Sequence, residues 1–144
     1  MPNDNLFDLA KLEYSLVQQQ IDKYDEVGYK IKAWTVTLWV TLFGWALQFD
    51  RPQLLLLDLF AVLVFYFLDA VNKNFRQDYK AQRTRLAAAL QQFGQTGTWP
   101  HGFRTPVNPE HRWSDVPKQV LEPHLMLVYV PLAVISLAVY VLHP

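Results

Sequence analysis

The sequence contains no cysteine, which excludes disulfides, thiol catalysis and thiolate metal sites. Charged residues make up 18% of the 144 positions, below the roughly 25% of soluble domains. Acids and bases cancel to a formal net charge of zero, so no dominant nucleic-acid footprint is expected. No charged side chain occurs between Leu125 and Leu142. No glycine-rich phosphate loop, nucleophile elbow or HExxH motif occurs anywhere, and no residue set reads as a complete active site. The start, Met1 to Leu16, is polar and acidic. It lacks the basic start, apolar run and small-residue cleavage site of a secretory signal, so the hydrophobic segments are expected to stay in the mature protein.

Three apolar stretches dominate what is present. Ala33 to Phe49 and Leu54 to Val71 are separated only by Asp50-Arg51-Pro52-Gln53, and Leu125 to Leu142 forms the third. Each is about the length a helix needs to cross a bilayer core. The mean hydropathy is near zero because polar arms offset these segments. Aromatics reach 15%, and Trp34, Trp45 and Tyr140 fall where interfacial belts are expected.

The arms carry helical stripes. Ala10, Tyr14, Val17, Ile21, Tyr24, Gly28 and Ile31 follow at spacings of four and three, a coiled-coil period that runs without proline into the first apolar stretch. Asn3 or Asp4 is the expected cap. Beyond Val71 the chain turns polar without a breaker. Phe75, Tyr79, Leu86, Ala89 and Phe93 continue the spacing, with Gln82 in the one missing place and Gly94 as the expected stop. Residues 4–32 hold six acids against four lysines, whereas residues 73–93 hold five bases against Asp78 alone. Antiparallel pairing of the arms would bury both stripes, with Tyr14, Val17, Ile21, Tyr24, Phe75, Tyr79, Leu86 and Phe93 as packing residues, and set negative beside positive. Two separate solvated or membrane-surface helices are the alternative. Arg76, Lys80, Arg83 and Arg85 either face the acidic arm or touch anionic lipid or a nucleotide.

Residues 94–118 read as a linker in which Pro100, Pro106, Pro109 and Pro117 forbid a long helix. Ser114 or Asp115 before Pro117 resembles a helix start. From there a helix is expected to lead through Glu122 and Pro123 into the third segment, with a kink at Pro131. The expected organisation is therefore a helical hairpin over 1–93, with arms 5–32 and 73–93 and spans 33–49 and 54–71, then the linker and a third span in 119–144. There is no internal repeat. Lysine and arginine concentrate at Lys30, Lys32, Lys73, Arg76, Lys80 and Lys118, whereas the hairpin loop has only Arg51. The positive-inside rule then puts both arms, the N-terminus and the linker in the cytoplasm, and His143-Pro144 outside.

Asp58 and Asp69 stand out because an acid inside a membrane segment is a functional-site hypothesis by default. Their spacing of eleven is close to three turns, so they share a face. They line a polar path, or they serve as anchors, Asp69 pairing with Lys73 and Asp58 reaching interfacial water or Arg51. Thr37, Thr41, Gly44 and Gln48 form a polar row on the first segment. Such a row serves close helix packing, or it joins the Asp58 and Asp69 face along one path in an oligomer. His101, Glu110, His111 and His124 match no standard zinc spacing, so neither metal nor cofactor is expected. Trp99 and Trp113 are expected at the membrane interface or over the base of the paired arms.

The runs Ile31-Lys32-Ala33-Trp34, Val36-Thr37-Leu38-Trp39, Phe65-Tyr66-Phe67-Leu68-Asp69-Ala70 and Asn74-Phe75-Arg76 resemble a recurring group of small bacterial membrane proteins. These share a leading helix, a membrane hairpin and a trailing basic helix. The layout is similar to the SLATT-type two-transmembrane effector domains of bacterial antiviral signalling. The likeness covers about Leu12 to Leu90, and the third segment departs from the two-helix plan. It implies a self-assembling effector that permeabilises the membrane, with Trp34 and Asp69 as the matching positions.

The expected fold is all-α: a transmembrane helical hairpin with a long cytoplasmic antiparallel stalk, plus a third transmembrane helix. The leading functional expectation is a homo-oligomeric effector or channel-like protein of the bacterial inner membrane. The alternative is a non-conducting anchor or scaffold that docks a cytoplasmic protein partner through its stalk. No enzyme activity is expected, since no nucleophile–base or metal set appears.

Overall fold

A computed structural model describes residues 2–107 and 113–142. Glu110, His111 and the His143-Pro144 end lie outside the described residues. Among the described residues there is no strand. The helices are α1 (Pro2–Gln48), α2 (Gln53–Thr96), α3 (Val116–Val120) and α4 (Pro123–Leu142), with a 3-10 turn at Trp113–Asp115 before α3.

Local chemistry sets the helix ends. α1 begins at Pro2, so neither Asn3 nor Asp4 precedes its first turn as a cap. It stops where Asp50 takes a left-handed φ of 51°. Arg51 N then bonds Ala46 O at 3.0 Å and Phe49 N bonds Trp45 O at 3.0 Å, which satisfies carbonyls left open by the last turn. Pro52 lacks an N–H and suits the entry to α2, its carbonyl accepting from Leu55 N at 3.0 Å.

α2 does not stop at Gly94. Gln95 and Thr96 continue it, and the left-handed position falls on Gly97, with φ of 68° and a 2.8 Å bond from its N–H to Phe93 O. The expected run from Ser114 through Pro123 is also interrupted. α3 ends at Val120 with Leu121 as its C-cap, and the Glu122 carbonyl accepts from Leu125 N at 3.0 Å to open a new helix with Pro123 in its first turn. Asp115 precedes α3 without a side-chain cap, its carboxylate being taken by Lys118 at 2.7 Å. Pro131 lies inside α4.

The chain divides into two compact units, and each long helix contributes to both. Unit 1 comprises Met1–Asp25 and Phe75–Arg112; unit 2 comprises Glu26–Asn74 and Trp113–Pro144. Two of the boundaries cross the arms, and the third falls within the 94–118 linker.

In unit 1 the α1 and α2 segments pack antiparallel around Val17, Ile21 and Leu86, with Tyr14, Tyr79, Phe103 and Val107 against them. Burying a side chain of this size stabilises by about 1.5–3 kcal/mol. Tyr24 stacks on Phe75 and Tyr79 at ring-centroid distances of 6.1 and 5.5 Å.

In unit 2 the core is Val62, Ala70, Leu125 and Tyr129, with Trp39, Phe65, Tyr66 and Val120 packed on it. Along α1 of this unit, Gly28, Thr35 and Leu42 are all buried at intervals of seven, the repeat of a helix seam. Gly28 sits where the helices approach closely: a Cβ there would lie 3.2 Å from Asn72 Nδ2 and 3.7 Å from Asp69 Oδ1. Much of the outside of unit 2 is apolar, with Trp34, Trp45, Phe60, Phe67, Leu127 and Val141 all more than half exposed. By length and composition α2 and α4 are apolar enough to cross a membrane.

Candidate functional site

Two polar layers run through unit 2, and each draws one side chain from α1, α2 and α4. In the first, Lys32 Nζ of α1 lies 2.6 Å from Asp69 Oδ2 of α2, and the Tyr129 hydroxyl of α4 donates to the same oxygen at 3.1 Å. In the second, Trp39 Nε1 of α1 donates to Ser136 Oγ of α4 at 2.8 Å, and Ser136 Oγ donates to Asp58 Oδ2 of α2 at 2.6 Å. Asp58, Asp69, Tyr129 and Ser136 are all at most 2% exposed. The seven-residue steps Lys32 to Trp39 and Tyr129 to Ser136 repeat the same face after two turns, which is why two layers form rather than one. A buried carboxylate is tolerable only when paired or hydrogen-bonded, and each acid here has such partners. The second Asp58 oxygen, Oδ1, is buried without a hydrogen-bond partner among the described residues.

These contacts replace the anticipated pairings. Asp69 takes Lys32 rather than Lys73, because Lys73 is drawn to Glu122 just ahead of α4. Asp58 takes Ser136 rather than Arg51. Tyr66 donates its hydroxyl to the Val120 carbonyl and fastens α3 to α2.

Thr37, Thr41 and Gln48 do not join the two acids within one chain. All three are exposed with Gly44, whereas Asp58 and Asp69 face the interior. The Thr37 and Thr41 hydroxyls donate to their own helix at Ala33 O and Thr37 O, 2.9 and 2.8 Å away. Trp34 is exposed. His101 and His124 are exposed as well. Among the described residues no group of acids and histidines could hold a metal ion.

Unit 1 places all eight stripe residues in one region: besides the core already described, Phe93 lies 5.4 Å from Phe7 and 4.5 Å from Trp99, ring centre to ring centre. Trp99 thus covers the ends of the two helix segments. Arg76 forks onto Asp25, Nε at 2.6 Å from Oδ1 and Nη2 donating to Oδ2 at 2.9 Å. Arg83 donates to Gln18 Oε1 at 2.9 Å. Burial beside Tyr79 holds the Tyr24 phenol above its ordinary pKa, burial being the larger cause. In unit 2, the hydrogen bond from Lys30 holds the exposed Glu26 below the usual carboxylate range.

Gln82, the polar gap in the α2 stripe, donates to Glu13 Oε1 at 3.1 Å and to the Val107 carbonyl, while Val107 N donates to Glu13 Oε1 at 2.6 Å. The gap is therefore the anchor of the segment that follows α2. Sequence reasoning missed Lys32, Tyr129, Ser136, Glu13 and Gln82 as site residues. The available signal was the seven-residue spacing of the Tyr129 and Ser136 hydroxyls in a helix α4 without aspartate, glutamate, lysine or arginine. Compared with protein-family models, curated proteins and solved structures, the chain matches none.

Proposed function

We propose that the chain is a multi-pass membrane protein whose unit 2 is a lipid-embedded anchor and whose unit 1 is a docking module for a cytoplasmic protein. The observation that carries this reading is the direction of the polar groups in unit 2. Both carboxylates point inward and are engaged by side chains of the same chain, while large apolar side chains cover much of the outer surface. Polar groups used in this way fix helix pairing in lipid rather than line a conducting path. Helix α1 supplies the third crossing in this reading, with the N-terminus on the basic, cytoplasmic side of a bacterial inner membrane and the C-terminus outside. Ser136 and Asp58 are both buried between helices, with Ser136 also taking the Trp39 indole, an arrangement that suits packing and favours a non-enzymatic role.

The test is reconstitution into liposomes with an ion-flux readout, alongside photo-crosslinking from unit 1 positions in intact cells. The expected result is no flux and a specific crosslink. Sustained conductance would overturn the docking reading.

A second reading, a self-assembling effector of the SLATT-like layout, is favoured by one observation. Thr37, Thr41, Gly44 and Gln48 form an exposed polar row, and a Cβ at Gly44 would meet nothing within 4 Å. Such a row suits close packing between copies. Under this reading Thr41→Leu with Gly44→Leu should reduce both the oligomer mass in detergent and dye release from vesicles.

A further inference from the structure

Asp58 and Asp69 are both buried, but among the described residues only Asp69 of the two faces a cation, Lys32 Nζ at 2.6 Å. Asp58 is 0% exposed and takes the Ser136 hydroxyl on Oδ2 at 2.6 Å, while its Oδ1 has no hydrogen-bond partner. Ser136 Oγ is itself occupied by the Trp39 indole at 2.8 Å. The neighbouring elements bring no charge to this layer. On α1 no residue from 33 to 49 is charged, and on α4 none from 125 to 142. Before α2 the nearest charges are Arg51 and Asp50, seven and eight residues from Asp58, and Asp69 lies eleven residues after it. Lys32 stands seven residues from Trp39 and is taken by Asp69. Seven residues are about 10 Å of helix. The tyrosines are neutral: Tyr129 donates to Asp69, Tyr66 donates to the Val120 carbonyl, and Tyr140 is partly exposed. His124 is exposed and twelve residues from Ser136; His143, seven residues beyond Ser136, lies outside the described residues.

An ionised carboxylate in a dry apolar seam is costly unless a cation or several hydrogen bonds offset it. One hydroxyl falls short of that, whereas a neutral carboxyl needs no counter-charge. A hard metal cation would need six or more converging oxygens, and the side chains of this layer bring only those of Asp58 and Ser136. We infer that the Asp58, Ser136 and Trp39 layer is a proton-binding site, in which Asp58 stands as a neutral carboxylic acid at neutral pH and the bound proton holds α4 against α2. Release of that proton to solvent leaves an uncompensated negative charge between the two helices and loosens their contact. The inference rests on the reading of unit 2 as a lipid-embedded anchor and adds proton control to it.

The experiment uses the full chain, with isotope-labelled aspartate, in phosphatidylcholine nanodiscs. Infrared spectra at about pH 7, roughly three units above the ordinary aspartate pKa of about 3.9, report protonated carboxyls by a carbonyl stretch separate from the carboxylate bands. Wild type is expected to show one protonated aspartate, and Asp58→Asn none. Denaturant titration of the same samples across pH gives a second readout. A folded chain that binds one proton more than its unfolded form loses about tenfold in its folding constant for each unit of rising pH. Wild type should therefore fall by about that factor per unit relative to Asp58→Asn, from about pH 4 upward. Asn is close in shape to the neutral acid, so Asp58→Asn is expected to fold, as circular dichroism reports. The inference is overturned if the protonated band is absent, if it survives in Asp58→Asn, if the two pH slopes coincide, or if Asp58→Asn does not fold. It is equally overturned if sodium or lithium ions replace the proton, stabilising wild type alone while no protonated band is seen. Ion flux through the chain in liposomes would sink the anchor reading whatever the spectra show. Absent flux, with an ionised Asp58, sinks only the proton site.

Discussion

Lys32 Nζ lies 2.6 Å from Asp69 Oδ2, although Lys73 stands one turn from Asp69 on its own helix. Lys73 is held instead by Glu122. The exchange ties three helices where the local pair would have tied one helix to itself. Lys32 is about a third exposed and Asp69 is buried, so the pair sits at the edge of a dry interior.

Removing one partner of this pair should cost more than removing both. Asp69→Ala leaves the Lys32 ammonium and Tyr129 hydroxyl without their acceptor and should destabilise by about 2–4 kcal/mol, discounted for the exposure of Lys32. The double change Lys32→Met with Asp69→Leu should recover part of that loss. Thermal melts of the detergent-solubilised protein give the cycle, and strictly additive losses would rule out a coupled pair.

Asp58 and Ser136 should respond differently to isosteric and to apolar changes. Asp58→Asn keeps an oxygen to accept the Ser136 hydroxyl and should shift stability by about 1 kcal/mol or less. Ser136→Ala strands both Trp39 Nε1 and Asp58 Oδ2 and should cost about 2–3 kcal/mol. Denaturant titration in mixed micelles separates the two cases.

Gln82→Leu completes the apolar stripe of α2 and improves its pattern. It should nevertheless loosen the segment after α2, because the Val107 carbonyl loses its donor and Glu13 loses a partner. Limited trypsin digestion should then cut after Arg104 about tenfold faster than in the wild type. Unchanged cleavage would show that the aromatic stack alone holds the segment.

Leu86→Ala removes the most buried large side chain of the unit 1 core and should cost about 2–5 kcal/mol. Leu90→Ala, one turn further along α2 at a half-buried position, should cost under about 1.5 kcal/mol. Hydrogen exchange of residues 79–93 in both variants would report the difference.

Much of the helical layout was legible because it is written locally. The seven-residue stripe from Ala10 to Ile31, the absence of proline between Pro2 and Pro52 and the break Asp50-Arg51-Pro52 define two long helices without tertiary information. The stop at Gly97 was harder to see, since Gly94 offers the same residue type three places earlier and only the downstream packing of Trp99 separates them. The acids were visible as anomalies, but their partners were not. Lys73 is the local choice for Asp69, and Lys32 becomes the nearer cation only once α1 and α2 are in register. Gln82 read as a fault in a stripe because its acceptor, the Val107 carbonyl, belongs to a segment with no periodic pattern at all.

Tyr129 and Ser136 answer two acids on one neighbouring helix through a single rigid length of α4. A one-residue insertion between them would swing one hydroxyl about 100° around the axis relative to the other. One acid would keep its donor and the other would lose it, whichever way the helix turned to compensate. The stretch from Val130 to Ile135 therefore behaves as a ruler: its side chains can be exchanged for others of similar bulk, but its length cannot change.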